Sequence, residues 1–125
     1  TLDDVITAKA QHPDAVLVVH PECPPAIQDR ADHITSTSGM LRFCKESQNR
    51  EFIIGTEEGL LHRLRRDNPD KVFHLLSRKM VCPNMKRTHL TSVLSAMEKM
   101  QYVIKVPDDI SMKAKQALDR MLEIK

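Results

Sequence analysis

The spacing of apolar residues changes several times along this chain, and each change marks an element. Leu2, Val5 and Ile6 recur at helical spacing behind Thr1, a capping residue, with Asp3 and Asp4 at the positive end of the helix dipole; this predicts a helix through Gln11. His12-Pro13-Asp14 breaks it. Ala15-Val16-Leu17-Val18-Val19 is then a continuous apolar run rich in β-branched side chains, as expected for a strand buried on both faces. His20-Pro21-Glu22-Cys23-Pro24-Pro25 is the loop that ends it, and either of the last two prolines suits the first turn of a short helix reaching Arg30. His33-Ile34-Thr35 predicts a second strand, and Ser36-Thr37-Ser38-Gly39 leads into a helix from about Met40 to Gln48.

The same order then repeats. Glu51-Phe52-Ile53-Ile54-Gly55 predicts a strand and Thr56-Glu57-Glu58-Gly59 a turn into a helix. Leu60, Leu61 and Leu64, with Arg63, Arg65 and Arg66, make that helix amphipathic, and Asn68-Pro69 ends it. Lys71 to Leu76 reads as one more strand. Strands alternating with helices across short loops predict an α/β fold, a three-layer αβα unit with a short parallel sheet, over residues 1–80. From Cys82 the texture changes. Cys82-Pro83-Asn84-Met85-Lys86 is a polar turn, and Thr88-His89-Leu90-Thr91 opens a helix to about Met100. Val106-Pro107-Asp108-Asp109 starts a last amphipathic helix with Ile110, Ala114, Ala117, Leu118, Met121 and Leu122 on one side. Residues 81–125 therefore form a C-terminal segment, whose helices are expected to pack on a unit that these residues do not include.

Charge and composition remove several classes of function. The 19 Lys and Arg against 17 Asp and Glu leave a net charge of +2, too balanced for a nucleic-acid-binding face. Three Phe, one Tyr and no Trp offer no platform for stacking bases. The apolar runs are too short to span a membrane, and no charged-then-apolar pattern of a signal peptide precedes them within these residues. An odd set of three cysteines, Cys23, Cys44 and Cys82, argues against a disulfide framework and for a reducing, cytoplasmic setting. Because the first residue is Thr1 and not Met, the chain is expected to begin inside a longer reading frame or after processing.

In a parallel α/β sheet, ligands bind beyond the C-terminal ends of the strands. Three polar loops are expected there. The first sets the imidazole of His20 and the carboxylate of Glu22 around Pro21, which fixes the backbone; together they can move protons, or they can simply be solvated loop residues. The second sets Ser36, Thr37 and Ser38 at a helix start, where hydroxyls and outward N–H groups bind a carboxylate or phosphate; plain capping needs only one of them. The third, Thr56 to Glu58, reads as another cap, with Thr56 as the capping residue. Cys82 before a proline is free of helix geometry and suggests an iron–sulfur ligand. Cys44 falls on the apolar side of a helix and reads as core, and Cys23 lies close enough to His20 to suggest a zinc pair, though without paired C-x-x-C spacing. The methionines follow helical spacing and read as packing.

Four blocks taken together are more specific than any one. His20-Pro21-Glu22-Cys23-Pro24-Pro25, Ser36-Thr37-Ser38-Gly39-Met40, Gly55-Thr56-Glu57-Glu58-Gly59-Leu60-Leu61-His62-Arg63-Leu64 and Cys82-Pro83-Asn84-Met85-Lys86 resemble, in order and approximate spacing, the motifs of quinolinate synthases. The resemblance implies three similar αβα units around a pseudo-threefold axis, with a [4Fe–4S] cluster on the axis held by one cysteine from each unit. It implies a transferase that condenses iminoaspartate with dihydroxyacetone phosphate to quinolinate in NAD biosynthesis. It implies a link to an L-aspartate oxidase or aspartate dehydrogenase that supplies the first substrate. Carried over motif by motif, it makes Cys82 the third cluster ligand, places His20 and Glu22 in the substrate pocket with Glu22 as acid or base, and gives Ser36 and Thr37 a substrate carboxylate to bind. It gives Cys23 no ligand role, and assigns none to Glu57.

Two departures qualify the resemblance. Some members of the family carry a triple-cysteine cluster around the last ligand, whereas Cys82 stands alone. The other two ligand cysteines, and a pocket tyrosine, are expected upstream of Thr1, so these 125 residues are expected to be inactive by themselves. The rival reading is a non-catalytic αβ module that binds a small anion through Ser36, Thr37 and the helix start; such a module has no use for Cys82.

Overall fold

A computed structural model describes residues 1–124; Lys125, the end of the expected C-terminal segment, lies outside the described residues. The chain divides into two units, one of Thr1–Pro83 and one that begins at Asn84. The first contains α1 (Leu2–Gln11), β1 (Val16–Val19), α2 (Pro25–Gln28), β2 (His33–Ile34), α3 (Thr37–Glu46), β3 (Glu51–Gly55), α4 (Gly59–Asp67) and β4 (Val72–Leu75). Its four strands form one sheet in the order β2-β1-β3-β4, and every pairing is parallel.

The apolar run of β1 explains its central place. Leu17, Val18 and Val19 are fully buried, and alternate residues serve opposite faces of the sheet. Leu17 and Val19 pack with Ile53, Leu76, Val5 and Ala8 of α1 and Ile27 of α2. Val18 packs with Phe52, Ile54 and Phe73 against Met40 and Cys44 of α3 and Leu61 and Leu64 of α4. Helices thus cover both faces, giving the expected three-layer α/β unit. Phe52 and Phe73, register partners on β3 and β4, stack with ring centroids 5.4 Å apart.

Two local details differ from the sequence expectation, each for a visible reason. Helix α3 begins at Thr37, three residues earlier than expected, because the Ser36 hydroxyl accepts the Gly39 amide at 3.2 Å and caps it there. The early start depends on Gly39, since a Cβ at that position would lie 1.8 Å from Thr35 Oγ1. Helix α4 is not capped by Thr56. The Glu57 carboxylate accepts the Gly59 amide at 2.7 Å instead. Asp32 ties three segments together: its Oδ2 accepts the Leu17 amide at 2.7 Å and the Lys9 ammonium at 2.8 Å.

The second unit holds a 3-10 turn at Met85–Arg87, α5 (Leu90–Lys99) and α6 (Asp108–Glu123). Ser92 caps α5 by accepting the His89 amide at 3.0 Å and donating to the His89 carbonyl at 2.7 Å. Both helices are amphipathic by sequence, yet none of their residues is buried; Leu94, Met97, Ile110, Leu118 and Met121 are all more than half exposed.

Candidate functional site

Because the four strands run parallel, their C-terminal ends open onto one edge of the sheet. Val19 at the end of β1 pairs with Ile34 of β2 on one side and Gly55 of β3 on the other, so the loops that follow lie side by side. Gly55 permits this closeness: a Cβ there would lie 2.8 Å from Val19 Cγ1.

The loop after β1 is held by its own backbone. The His20 amide donates to the Gly55 carbonyl at 3.1 Å, and the Cys23 amide donates back to the His20 carbonyl at 2.9 Å. Gln28 of α2 donates to the Pro21 carbonyl at 2.9 Å and the Cys23 carbonyl at 2.6 Å. His20 Nδ1 faces the Glu22 amide at 3.3 Å and the Glu22 carboxylate at 3.8 Å. As acceptor for that amide, Nδ1 leaves the ring proton on Nε2. Glu22 is 90% exposed while His20 is only 23% exposed, so the carboxylate stands in water above a sheltered imidazole. The structure brings this expected pair together.

After β2, the Thr35 amide donates to the Val19 carbonyl at 3.1 Å and turns the chain into α3. Ser36, Thr37 and Ser38 are all exposed at this helix start. Ser36 uses its oxygen as the cap, so its O–H remains a donor, and the first-turn amides of α3 add partial positive charge. The same serine therefore caps the helix without using its O–H as the capping group.

Cys82 is half-buried, and its backbone amide donates to Glu57 Oε1 at 3.4 Å. The other oxygen of Glu57 holds the start of α4, and the Glu58 amide donates to the Met80 carbonyl at 2.9 Å. The β3–α4 loop and the Cys82 loop are thus fastened to each other. Glu57 is the residue that sequence reasoning left without a role: its position two residues before Gly59 hints at capping, but its reach to the Cys82 amide is a tertiary fact. The other cysteines differ. Cys23 Sγ donates to the Gly55 carbonyl at 3.4 Å, within the loop after β1. Cys44 is fully buried, and burial pushes its thiol up to about 11 despite the opposing charge of Lys71. It is core, as its helical position predicts.

None of the helices among the described residues is long and apolar enough to cross a membrane. The family model described as quinolinate synthetase A protein matches residues 1–123. The chain is 57% identical over 122 residues to the quinolinate synthase of Thermodesulfovibrio yellowstonii, covering 98% of this chain and 40% of that protein. It is 46% identical over 123 residues to quinolinate synthase 1 of Methanosarcina acetivorans, with 98% and 40% covered. Against the quinolinate synthase of Clostridium kluyveri the identity is 45% over 124 residues, with 99% and 41% covered. The chain thus spans about two-fifths of the length of these relatives. On the match over residues 1–123 and these identities, the chain belongs to the quinolinate synthetase A protein family.

Proposed function

We propose that this chain supplies one part of the active site of a quinolinate synthase, which condenses iminoaspartate with dihydroxyacetone phosphate and releases phosphate and water. The observation that carries the reading is the single sheet edge that holds the His20–Glu22 loop, the Ser36–Thr37 helix start and, through Glu57, the Cys82 loop. Both substrates are anions, and α3 offers them a hydroxyl and first-turn amides at Ser36 and Thr37. Held by helix and strand ends, these donors need little reordering when a substrate carboxylate docks.

The condensation needs protons moved between carbon, nitrogen and oxygen. Glu22 acts as the acid or base, and His20 relays its proton. A proton arriving at His20 Nδ1 displaces the hydrogen bond from the Glu22 amide and meets the Glu22 carboxylate 3.8 Å away, which stabilises the imidazolium.

The cysteines of this chain fit a [4Fe–4S] cluster at one position. Cys82 is half-buried in a loop whose backbone is pinned, whereas Cys44 is sealed in the core and Cys23 turns its thiol to a backbone carbonyl. Cys82 would therefore hold one iron, and two further ligands would come from cysteines outside these residues. When bound, the cluster supplies a Lewis-acidic iron that polarises a substrate oxygen or nitrogen. On this reading the 125 residues alone neither bind the cluster normally nor turn over substrate. The enzyme works in the cytoplasm, beside an aspartate-oxidising enzyme that provides iminoaspartate.

The test uses the complete protein that contains this chain, reconstituted anaerobically with iron and sulfide. Cys82→Ser is expected to abolish the visible absorption of the cluster and quinolinate formation together. Glu22→Gln is expected to keep the cluster and lower kcat by roughly 10²- to 10⁴-fold, the usual worth of a general acid or base. An intact cluster and full turnover in Cys82→Ser would sink the assignment of that ligand, and unchanged kcat in Glu22→Gln would sink that of the proton carrier.

A further inference from the structure

At the opposite end of β3 lies a second group of side chains. Glu51 is the first residue of β3, His74 lies on β4, and His12 follows the last residue of α1. One carboxylate oxygen, Glu51 Oε1, stands 3.0 Å from His12 Nδ1 and 2.8 Å from His74 Nε2. The two imidazoles stack face to face, with centroids 3.5 Å apart and planes 18° from parallel. Three residues from three elements, separated by 39 and 23 positions, thus aim one nitrogen or oxygen each at a common point. One ligand atom from each lies within 4.8 Å of the other two.

We propose that His12, Glu51 and His74 form a binding site for one zinc-class divalent ion. Two imidazoles and a carboxylate are a ligand set that suits zinc, with water completing a tetrahedron. Metal–ligand bonds of 2.0–2.1 Å set the edges of such a tetrahedron at about 3.3 Å. The two N···O separations of 2.8 and 3.0 Å need to open by only a few tenths of an ångström, and the rings must tilt so that their nitrogens converge in plane. The proton bookkeeping is simple. Without metal, a neutral His12 carries its proton on Nδ1 and a neutral His74 on Nε2, and both donate to Glu51. With metal, each ring moves its N–H to its other nitrogen, and no net proton need be released at these two rings. Access is open, because His12 and His74 both line a cleft on the surface of the first unit, beside Thr7, Gln11 and Ser77. The three side chains are each about a quarter to two-fifths exposed, sheltered enough to be held yet reachable by the ion. The ion would clamp the end of α1 to the two strands. It would stand apart from the strand ends where Cys82 and the substrate loops gather, so this site is independent of the cluster.

The test is titration of the full 125-residue chain with Zn2+, its thiols kept reduced, by calorimetry and by nitrogen-detected NMR of the imidazoles. One equivalent is expected to bind at micromolar concentration or tighter. The N–H of His12 is expected to move from Nδ1 to Nε2 and that of His74 from Nε2 to Nδ1, with His33 unchanged. Glu51→Gln and His74→Ala are each expected to weaken binding by roughly tenfold or more, since a direct ligand is worth no less than an outer-shell partner. If His74→Ala fails to fold, the NMR of the unaltered chain decides. Lack of stoichiometric binding would overturn the site, and so would Zn2+ that leaves the tautomers of both rings untouched. Binding retained in Glu51→Gln and His74→Ala but lost in Cys82→Ser would place the ion on the cysteine and overturn it equally.

Discussion

The two units of this chain use the same kind of helix to different ends. Helices α3 and α4 carry apolar stripes that meet Phe52, Ile54 and Phe73, and Met40, Cys44 and Leu64 are fully buried. Helices α5 and α6 carry apolar stripes of similar quality, and every residue on them retains solvent contact. An amphipathic period says that a helix has a face to cover; it does not say what covers it. In the first unit the sheet does so, and with it comes a core able to hold a site in place. The second unit has helices whose stability rests on caps, propensity and whatever meets them.

The largest test of this contrast is core truncation. Phe52→Ala in the first unit is expected to cost about 3–5 kcal/mol in denaturant unfolding, as for other buried aromatic residues. Leu118→Ala on α6, where the side chain is 56% exposed, should change stability by less than about 0.5 kcal/mol. Equal losses at the two positions would mean that α6 is covered and the contrast is false. Hydrogen exchange sharpens the same point: the amides of Leu17, Ile53 and Ile54 should exchange slowest, and those of Leu94 and Leu118 far faster.

A smaller effect is expected where backbone closeness, and not burial, sets the limit. Gly39→Ala should cost about 1–3 kcal/mol, because its Cβ falls within bonding distance of Thr35 Oγ1. Adding Thr35→Ala should recover part of that loss. A double variant no more stable than the sum of the singles would remove the steric explanation.

The smallest effect is electrostatic. Burial by itself would raise the carboxyl of Asp32, but the Lys9 ammonium and the Leu17 amide outweigh it and hold the group below its ordinary value. A depressed folded-state pKa adds stability above the unfolded value, near 4, and that stability is lost as pH falls through the folded value. The carboxylate is half exposed, so Asp32→Asn should cost less than about 1 kcal/mol at neutral pH, and the difference from the parent should vanish in acid. A difference that grew on acidification would reverse the sign of this account.

Much of the first unit is legible along the chain because its signals are local. The run from Ala15 to Val19 specifies a doubly buried strand, and Asn68-Pro69 stops α4 through bonds from the Asn68 amide and side chain to the Leu64 carbonyl. The site is legible in part. His20 and Glu22 are two residues apart and meet through their own loop, and Ser36 caps the helix that follows it. Glu57 was not legible, since one of its carboxylate oxygens serves a helix start two residues on and the other an amide 25 residues away. The group at Glu51 was less legible still: His12 reads as a helix breaker and His74 as a strand residue, and nothing in either neighbourhood points to the other.

By itself, then, the sequence determined the period of each element, the parallel α/β class and the motif blocks that mark its family, because these depend on residues close together or on patterns repeated along the chain. Only the tertiary structure decided the order of the strands, that Glu57 fastens the Cys82 loop, and that two distant histidines meet over one carboxylate. Those outcomes depend on strand order and register, which bring together residues that no local spacing relates.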